Sequence, residues 1–352
     1  MECYNLELEN GDLLGVPKIM TIGCGGAGNN SMTRLYELGV ETVEIVSINT
    51  DWQDLVVSEA DKKILIGKNL TRGRGAGGDP KLAERCCESS RNVIEDLFRE
   101  VNLVFITAGM GGGTGTGISP IIAEIARKQG AIVVAIVTTP FDVERERKHK
   151  AREGVKELKN HANCTIVLDN NRLVKLVGSQ PLDRAFTIMD QLIAEIIKGV
   201  AESITLPSLI NLDFSDLKAI MTKKGISTIM YGEGTCQDPE DLIKKTLNNP
   251  LLDINFKDAL GAMIHITSGE MLSLKAVEEI TEGIIRGISP NANVIMGARI
   301  DPSLKDRVKV MSIISGAEMV EDLSVNTIKR NVVMDQLHNR SDWGRWDIQS
   351  IM

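Results

Sequence analysis

The chain has 352 residues and a formal net charge of −8, with 43% apolar and 25% charged residues. Those fractions are those of a soluble globular protein long enough for two domains. The acidic balance argues against a general nucleic-acid binder, which needs a basic surface, and the apolar runs are too short and interrupted to span a bilayer.

The start, "MECYNLELENGDLLG", is acidic and lacks a signal-peptide pattern. "PKIMTIG" (Pro17–Gly23) reads as a strand, "GNNSMTRLYELG" (Gly28–Gly39) as a helix and "VEIVSINTD" (Val43–Asp51) as the next strand. "DPKLAERCCESSRNVIEDLF" (Asp79–Phe98) predicts one helix opened by Asp and Pro. "VNLVFITA" (Val101–Ala108) is a β-branched strand, and the glycine-rich "GMGGGTGTG" (109–117) follows it. Then come a helix over Ile118–Gly130, with Ser119 and Pro120 at its start, and a buried strand over Ala131–Pro140. A charged helix (Glu144–Ala162) precedes the strand "CTIVLDN" (Cys164–Asn170). This alternation predicts an α/β fold with a parallel sheet covered on both faces. One long helix, 183–206, follows as a connecting strut. Beyond Pro207, strands at Ala259–Gly269, Asn293–Ile300 and Arg307–Ser315 and helices near Asp238–Asn249 and Leu272–Ile288 predict a smaller α/β or α+β domain. From about Glu321 the pattern fades into a tail ending "HNRSDWGRWDIQSIM".

Six cysteines without C-x-x-C spacing fit buried thiols better than a disulfide framework or a zinc site. The four histidines show no metal-ligand spacing, so no metal centre built from protein ligands alone is expected.

The glycine clusters carry the chemistry. "GMGGGTGTG" lies between a strand and a helix, where free backbone N–H groups and the helix dipole favour an anion. Glycine lets the backbone touch a phosphate, and Thr114 and Thr116 add hydroxyl donors. "GCGGAGNN" (Gly23–Asn30) satisfies G-x-G-x-x-G, with Asp51 about twenty residues on. Alone it would fit a nicotinamide-dependent oxidoreductase, which stays open as an alternative. A dinucleotide needs one such turn, however, and "GRGAGGDP" (Gly73–Pro80) makes a third at the same sheet edge. Three turns can wrap a triphosphate. No P-loop pattern occurs, so the phosphate charge is expected to be shared with Mg²⁺ rather than a P-loop lysine.

Taken together, these motifs resemble the tubulin superfamily, and its prokaryotic cell-division branch, the FtsZ proteins, in particular. The resemblance covers about residues 15–320. It implies a Rossmann-like GTPase domain over 17–182, a central helix over 183–206, an α+β domain over 207–320, an N-terminal extension (1–16) and a flexible tail (321–352). The ligands implied are GTP and GDP, with Mg²⁺ held mainly through their phosphates. The first loop would place Gly25, Gly26, Ala27, Gly28 and Asn30 at the nucleotide, and the second Asn49 and Asp51. The third would place Ala76 and Gly77 there, and the signature loop Gly111, Gly112, Gly113, Thr114, Gly115 and Thr116. Asp79 stands where the family commonly has asparagine, and it either meets phosphate or simply caps a helix. Trp52 stands where the family more often has a small residue. On the ribose side the resemblance points to Glu144, with Arg147 or Lys148 in the role of a family arginine. Asn170, Phe186 and Asp190 would read guanine, Phe186 by stacking and Asp190 by accepting from N1–H and the 2-amino group.

"NLDFSD" matches the family's synergy loop, whose Asn211, Asp213 and Asp216 would reach the γ-phosphate of the next subunit. The same residues also read as a helix start capped by Asp213. The nucleotide domain has no evident general base of its own, so the resemblance implies hydrolysis completed in trans within a head-to-tail filament of the midcell division ring. A non-hydrolysing GTP-binding paralogue is the other alternative. Trp343 and Trp346 suggest a tail that docks on a membrane-anchoring adaptor, the remaining partner expected.

Overall fold

The computed structural model describes residues 16–172, 181–221, 226–247, 259–286 and 288–317. The expected tail motif, with Trp343 and Trp346, lies outside the described residues, as do residues 1–15 of the N-terminal extension, Cys3 among them.

The first domain holds a six-stranded parallel sheet in the order β3-β2-β1-β4-β5-β6. Its strands are β1 (Ile19–Cys24), β2 (Glu44–Asn49), β3 (Lys62–Leu65), β4 (Leu103–Gly109), β5 (Ile132–Thr139) and β6 (Cys164–Asp169). β4 shows why these runs are continuously apolar. Leu103 and Phe105 face one core, Val104 and Ile106 the other, and all four are fully buried. On the first face lie α1 (Gly25–Glu37) and the long helix α8 (Leu182–Thr205), which buries Met189, Ile193, Ile197 and Val200. On the second lie α4 (Pro80–Glu88), α6 (Thr114–Lys128) and α7 (Arg145–His161), through Ala83, Ile118, Ile122 and Val155.

Four expectations need correction. The predicted helix over 79–98 is two, α4 and α5 (Arg91–Leu97), broken at Ser89-Ser90, where Ser89 Oγ donates to the Cys86 carbonyl. Such local side-chain bonds compete with helix continuation. α1 starts at Gly25 rather than Gly28, and α6 at Thr114 rather than Ile118. Part of each glycine cluster is therefore helical, and Pro120 lies inside the helix. Short elements also went unseen: β3, α2 (Trp52–Val57) and α3 (Lys68–Thr71) are too brief to show a period.

The smaller domain carries a mixed sheet, β7-β10-β8-β9. β7 (Ile226–Thr235) was also missed, its run interrupted by glycines 232 and 234. β10 (Arg307–Ala317) is antiparallel to β7 and to β8 (Gly261–Ser268), and β8 is parallel to β9 (Asn293–Ile300). Helices α10 (Pro239–Leu247) and α11 (Leu274–Ile285) close its own core over Ile264, Ile266, Val308 and Val310. α9 (Phe214–Met221) buries Leu217, Ile220 and Met221 in the same cluster as the long helix. Among the described residues, no helix is long and apolar enough to cross a membrane. Cys24, Cys86, Cys87 and Cys164 are buried and form no disulfide among the described residues.

Candidate functional site: a cleft along the strand ends

In this strand order the chain reverses direction between β1 and β4, and ligands of such sheets bind at the carboxyl ends there. An open cleft of about 530 Å³ lies at that edge. Two helices begin at it, α1 and α6, neither capped by a side chain nor carrying an acid in its first turn. Their first N–H groups are left for a ligand. Neighbouring α2 and α4 are capped, by Asp51 on Gln53 N–H and by Asp79 on Lys81 N–H, both at 2.9 Å.

Loop contacts explain the glycines. Gly25 has φ +72°, and a Cβ there would lie 2.9 Å from the Gly115 nitrogen. Gly111 has φ +99°, and a Cβ would lie 2.6 Å from the Arg147 carbonyl oxygen. Asn49 Oδ1 accepts from the N–H groups of Thr50 (2.8 Å) and Asp51 (3.1 Å). With its amide turned to suit its neighbours, buried Asn29 donates to the Gly23 and Gly25 carbonyls and accepts from Asn49 Nδ2 at 3.1 Å. Thr50 and Thr114 share a hydroxyl hydrogen bond of 2.7 Å. The third loop is pinned by Gly75 N–H to the Thr50 carbonyl (3.1 Å) and by Lys150 Nζ to the Gly78 carbonyl (3.0 Å).

At the other end, Phe141 and Phe186 pack with ring centroids 6.0 Å apart. Glu144 accepts from Phe141 N–H (3.2 Å) and pairs with Arg147 (2.7 Å). Asn170 Oδ1 is buried without a partner, an acceptor awaiting a donor. Asp190 Oδ1 accepts from Ser31 Oγ at 2.7 Å. Burial raises the Asp190 pKa to about 6, against the lowering effects of Ser31 and Arg34.

The cleft gathers Gly26, Ala27, Asn30, Asn49, Asp51, Ala76, Gly77, Gly112, Gly113, Thr114, Gly115, Glu144, Arg147, Asn170, Phe186 and Asp190. Other candidates do not line it. Gly25, Gly28 and Gly111 serve the backbone turns, and Thr116 Oγ1 accepts from Gly111 N–H at 2.8 Å instead of facing outward. Lys148 is paired with Asp142, which leaves Arg147 as the cation of that helix at the cleft. Asp79 is also absent from the lining, its carboxylate spent on the cap.

Asn211, Asp213 and Asp216 lie on another part of the molecule. Asp216 N–H donates to Asp213 Oδ1 (2.7 Å) and Asp213 N–H to Asp216 Oδ2 (3.3 Å), a reciprocal cap on α9. Asn211 Oδ1 accepts from Ser208 N–H at 2.9 Å, and buried Leu212 holds the segment down. Sequence reasoning missed Ser31, Asn29, Asp54, Arg74 and Met189. The last three line the cleft, and a Cβ at Gly26 would sit 3.2 Å from Asp54 Oδ2. The one signal for Asp54 is its place one turn after Asp51.

These features define a nucleotide-binding domain of tubulin-like architecture joined to a second α/β domain. Residues 18–178 match the family described as Tubulin/FtsZ family, GTPase domain, and 225–318 match FtsZ family, C-terminal domain. Cell division protein FtsZ 2 of Halobacterium salinarum is 48% identical over 320 residues, 91% of this chain and 81% of the relative. The FtsZ 2 protein of Methanocaldococcus jannaschii is 46% identical over 326 residues, 92% and 86% of the two chains. A solved M. jannaschii structure, described as an empty FtsZ dimer, superposes with TM-score 0.81 at 41% identity, covering 89% of this chain and 95% of that one. The chain belongs to the FtsZ family of cell-division GTPases, in the tubulin superfamily.

Proposed function

We propose that this chain binds GTP in the cleft, polymerises head to tail, and hydrolyses GTP only when a neighbour supplies Asn211, Asp213 and Asp216. The carrying observation is the separation of parts. The cleft offers uncapped helix starts at one end and the unpartnered Asn170 oxygen at the other. The acidic pair of α9 is exposed or half-exposed and faces none of it.

Phosphates would lie against the first turns of α1 and α6, and guanine between Phe186, Asp190 and Asn170. Among the described residues no cluster of three His, Cys, Asp or Glu could hold a metal. Mg²⁺ would therefore be held through the phosphates near Asp51 and Asp54, where it would offset charge on the terminal group. A neighbour's Asp213 and Asp216 would orient a water for in-line attack. Such a heterologous contact does not close on itself, so it extends as a filament. The role is that of a division-ring polymer. The tail around Trp343 and Trp346 would meet a membrane-anchoring adaptor.

Asp54 favours a second reading, a site complete within one chain, because its carboxylate already lies in the cleft. Measuring GTP turnover per subunit against protein concentration, with light scattering, separates the two. Shared sites give near-zero turnover when dilute and a rise that tracks scattering. Asp213→Ala should then lower turnover by roughly a hundredfold or more while GTP affinity is kept. Flat turnover per subunit with concentration would sink the shared site and direct attention to Asp54. Deleting residues 341–352 should leave turnover and filaments intact while abolishing placement at the ring, and normal placement without the tail would remove the adaptor proposal.

A further inference from the structure

We propose that Arg74 is the protein's own contact to the terminal phosphate of the bound nucleotide, and that it sets the preference for GTP over GDP. This rests on the guanine-nucleotide reading of the cleft. The cleft runs along the carboxyl edge from Asn170, just beyond β6, to Asp51, just beyond β2. The strands between follow the order β2-β1-β4-β5-β6. Four strand spacings of about 4.8 Å make roughly 19 Å, about the reach of an extended nucleoside triphosphate. With the base at Phe186 and Asp190, the chain of phosphates ends beside β2.

At that end stand two carboxylates, Asp51 and Asp54, which repel a phosphate. Among the described residues, the cations lining the cleft are Arg74 and Arg147. Arg147 belongs to the opposite end, where Glu144 holds it. Arg74 has no ion pair or side-chain hydrogen bond with any described residue, yet its backbone is fixed. Its N–H donates to the Thr71 carbonyl (3.1 Å), it bridges Asp51 across an isolated antiparallel pair, and Trp52 N–H donates to Gly73 next to it (2.9 Å). A guanidinium on a fixed root, free at its head, suits a phosphate that comes and goes. Its fork matches two phosphate oxygens at once. Asp79, the other charged residue of this loop, is turned away onto Lys81 N–H. The third loop thus presents a cation to the nucleotide, where the sequence had offered an acid.

The test is the equilibrium affinity of the full chain and of Arg74→Gln and Arg74→Lys for GTP, GDP and guanosine, by calorimetry with Mg²⁺ present. Arg74→Gln should weaken GTP roughly ten- to a hundredfold while GDP stays within about twofold and guanosine is unchanged. Arg74→Lys should recover part of the loss, as a point charge without the fork. Melting of the ligand-free variants should match the parent, since the side chain is exposed. Equal losses for GTP and GDP, or no loss for either, would overturn the assignment. A parent chain that binds no guanine nucleotide would overturn the reading of the cleft itself, and this proposal with it.

Discussion

In the proposed guanine site, Asp190 would couple recognition to pH. Burial holds its pKa at about 6, above the ordinary 3.8, so the empty fold keeps the acid protonated up to about pH 6. For a raised carboxylate the sign is that folding stability declines as pH climbs from about 4 to about 6, and nothing further is lost above that range. Guanine needs the ionised form, because N1–H and the 2-amino group are both donors. Under this reading, binding below about pH 6 would expel a proton. GTP affinity is expected to be flat above that point and to fall about tenfold per pH unit below it. Ser31 donates to this carboxylate and stabilises its charge. Ser31→Ala should move the break in the affinity profile to higher pH, and Asp190→Asn should remove the break. A profile without a break in the parent protein would exclude Asp190 from base reading.

At the scale of elements, caps decide what each loop is free to do. Asp79 was left open between a phosphate contact and a cap, and the structure shows the cap on α4. Asp79→Ala should cost about 1 kcal/mol of stability and Asp79→Asn almost nothing, since asparagine caps equally well. GTP affinity should barely change in either, and denaturant unfolding beside calorimetry checks both expectations. A large affinity loss with intact stability would return Asp79 to the phosphate. The long periodic elements were legible in the chain: the continuous apolar strands β4 and β5, the amphipathic α7 and the unbroken α8 all stand within a few residues of expectation. Legibility failed where no period exists. Four-residue β3 and α3 cannot show one, and glycines hid both the true starts of α1 and α6 and the strand β7. Within the site, the loops that meet at the cleft were readable because each carries a dense motif. Ser31 and Asn29 were not, because their roles depend on partners across the fold: Asp190 lies 159 residues from Ser31. Arg74 was passed over because an arginine among glycines carries no spacing signal of its own.

The two described domains are organised around α8. One side of the helix closes the core of the first sheet, and Met263, Met311 and Ile313 of the second sheet share the same cluster. Its flank carries charged pairs to that second sheet, Glu195 with Lys309 (3.2 Å) and Glu202 with Arg299 (2.7 Å). Gly199 lets Met311 approach, a Cβ there falling 3.1 Å from its sulfur. The helix that presents Phe186 and Asp190 to the cleft is thus the helix on which the second domain rests. A ligand that fills the cleft should stabilise both described domains, not a single loop. At a hundredfold excess of GTP over its Kd the gain is about 2.7 kcal/mol, a shift of a few degrees in Tm. Melting curves with GTP, GDP and ATP check this. An ATP shift equal to that of GTP would remove guanine selectivity from the site.

The bare first turns of α1 and α6 extend this to the cell. A helix start without a cap is an unfinished piece of architecture, and here the finishing piece is supplied from the metabolite pool. The small unfolded fraction of this chain would then grow as the guanine nucleotide supply falls, by mass action. A starving cell would hold more unfolded copies of this chain before any regulator acted on it. Nutritional state would then act on the chain through simple protein solvency: copies left without nucleotide would be the ones that proteases clear first.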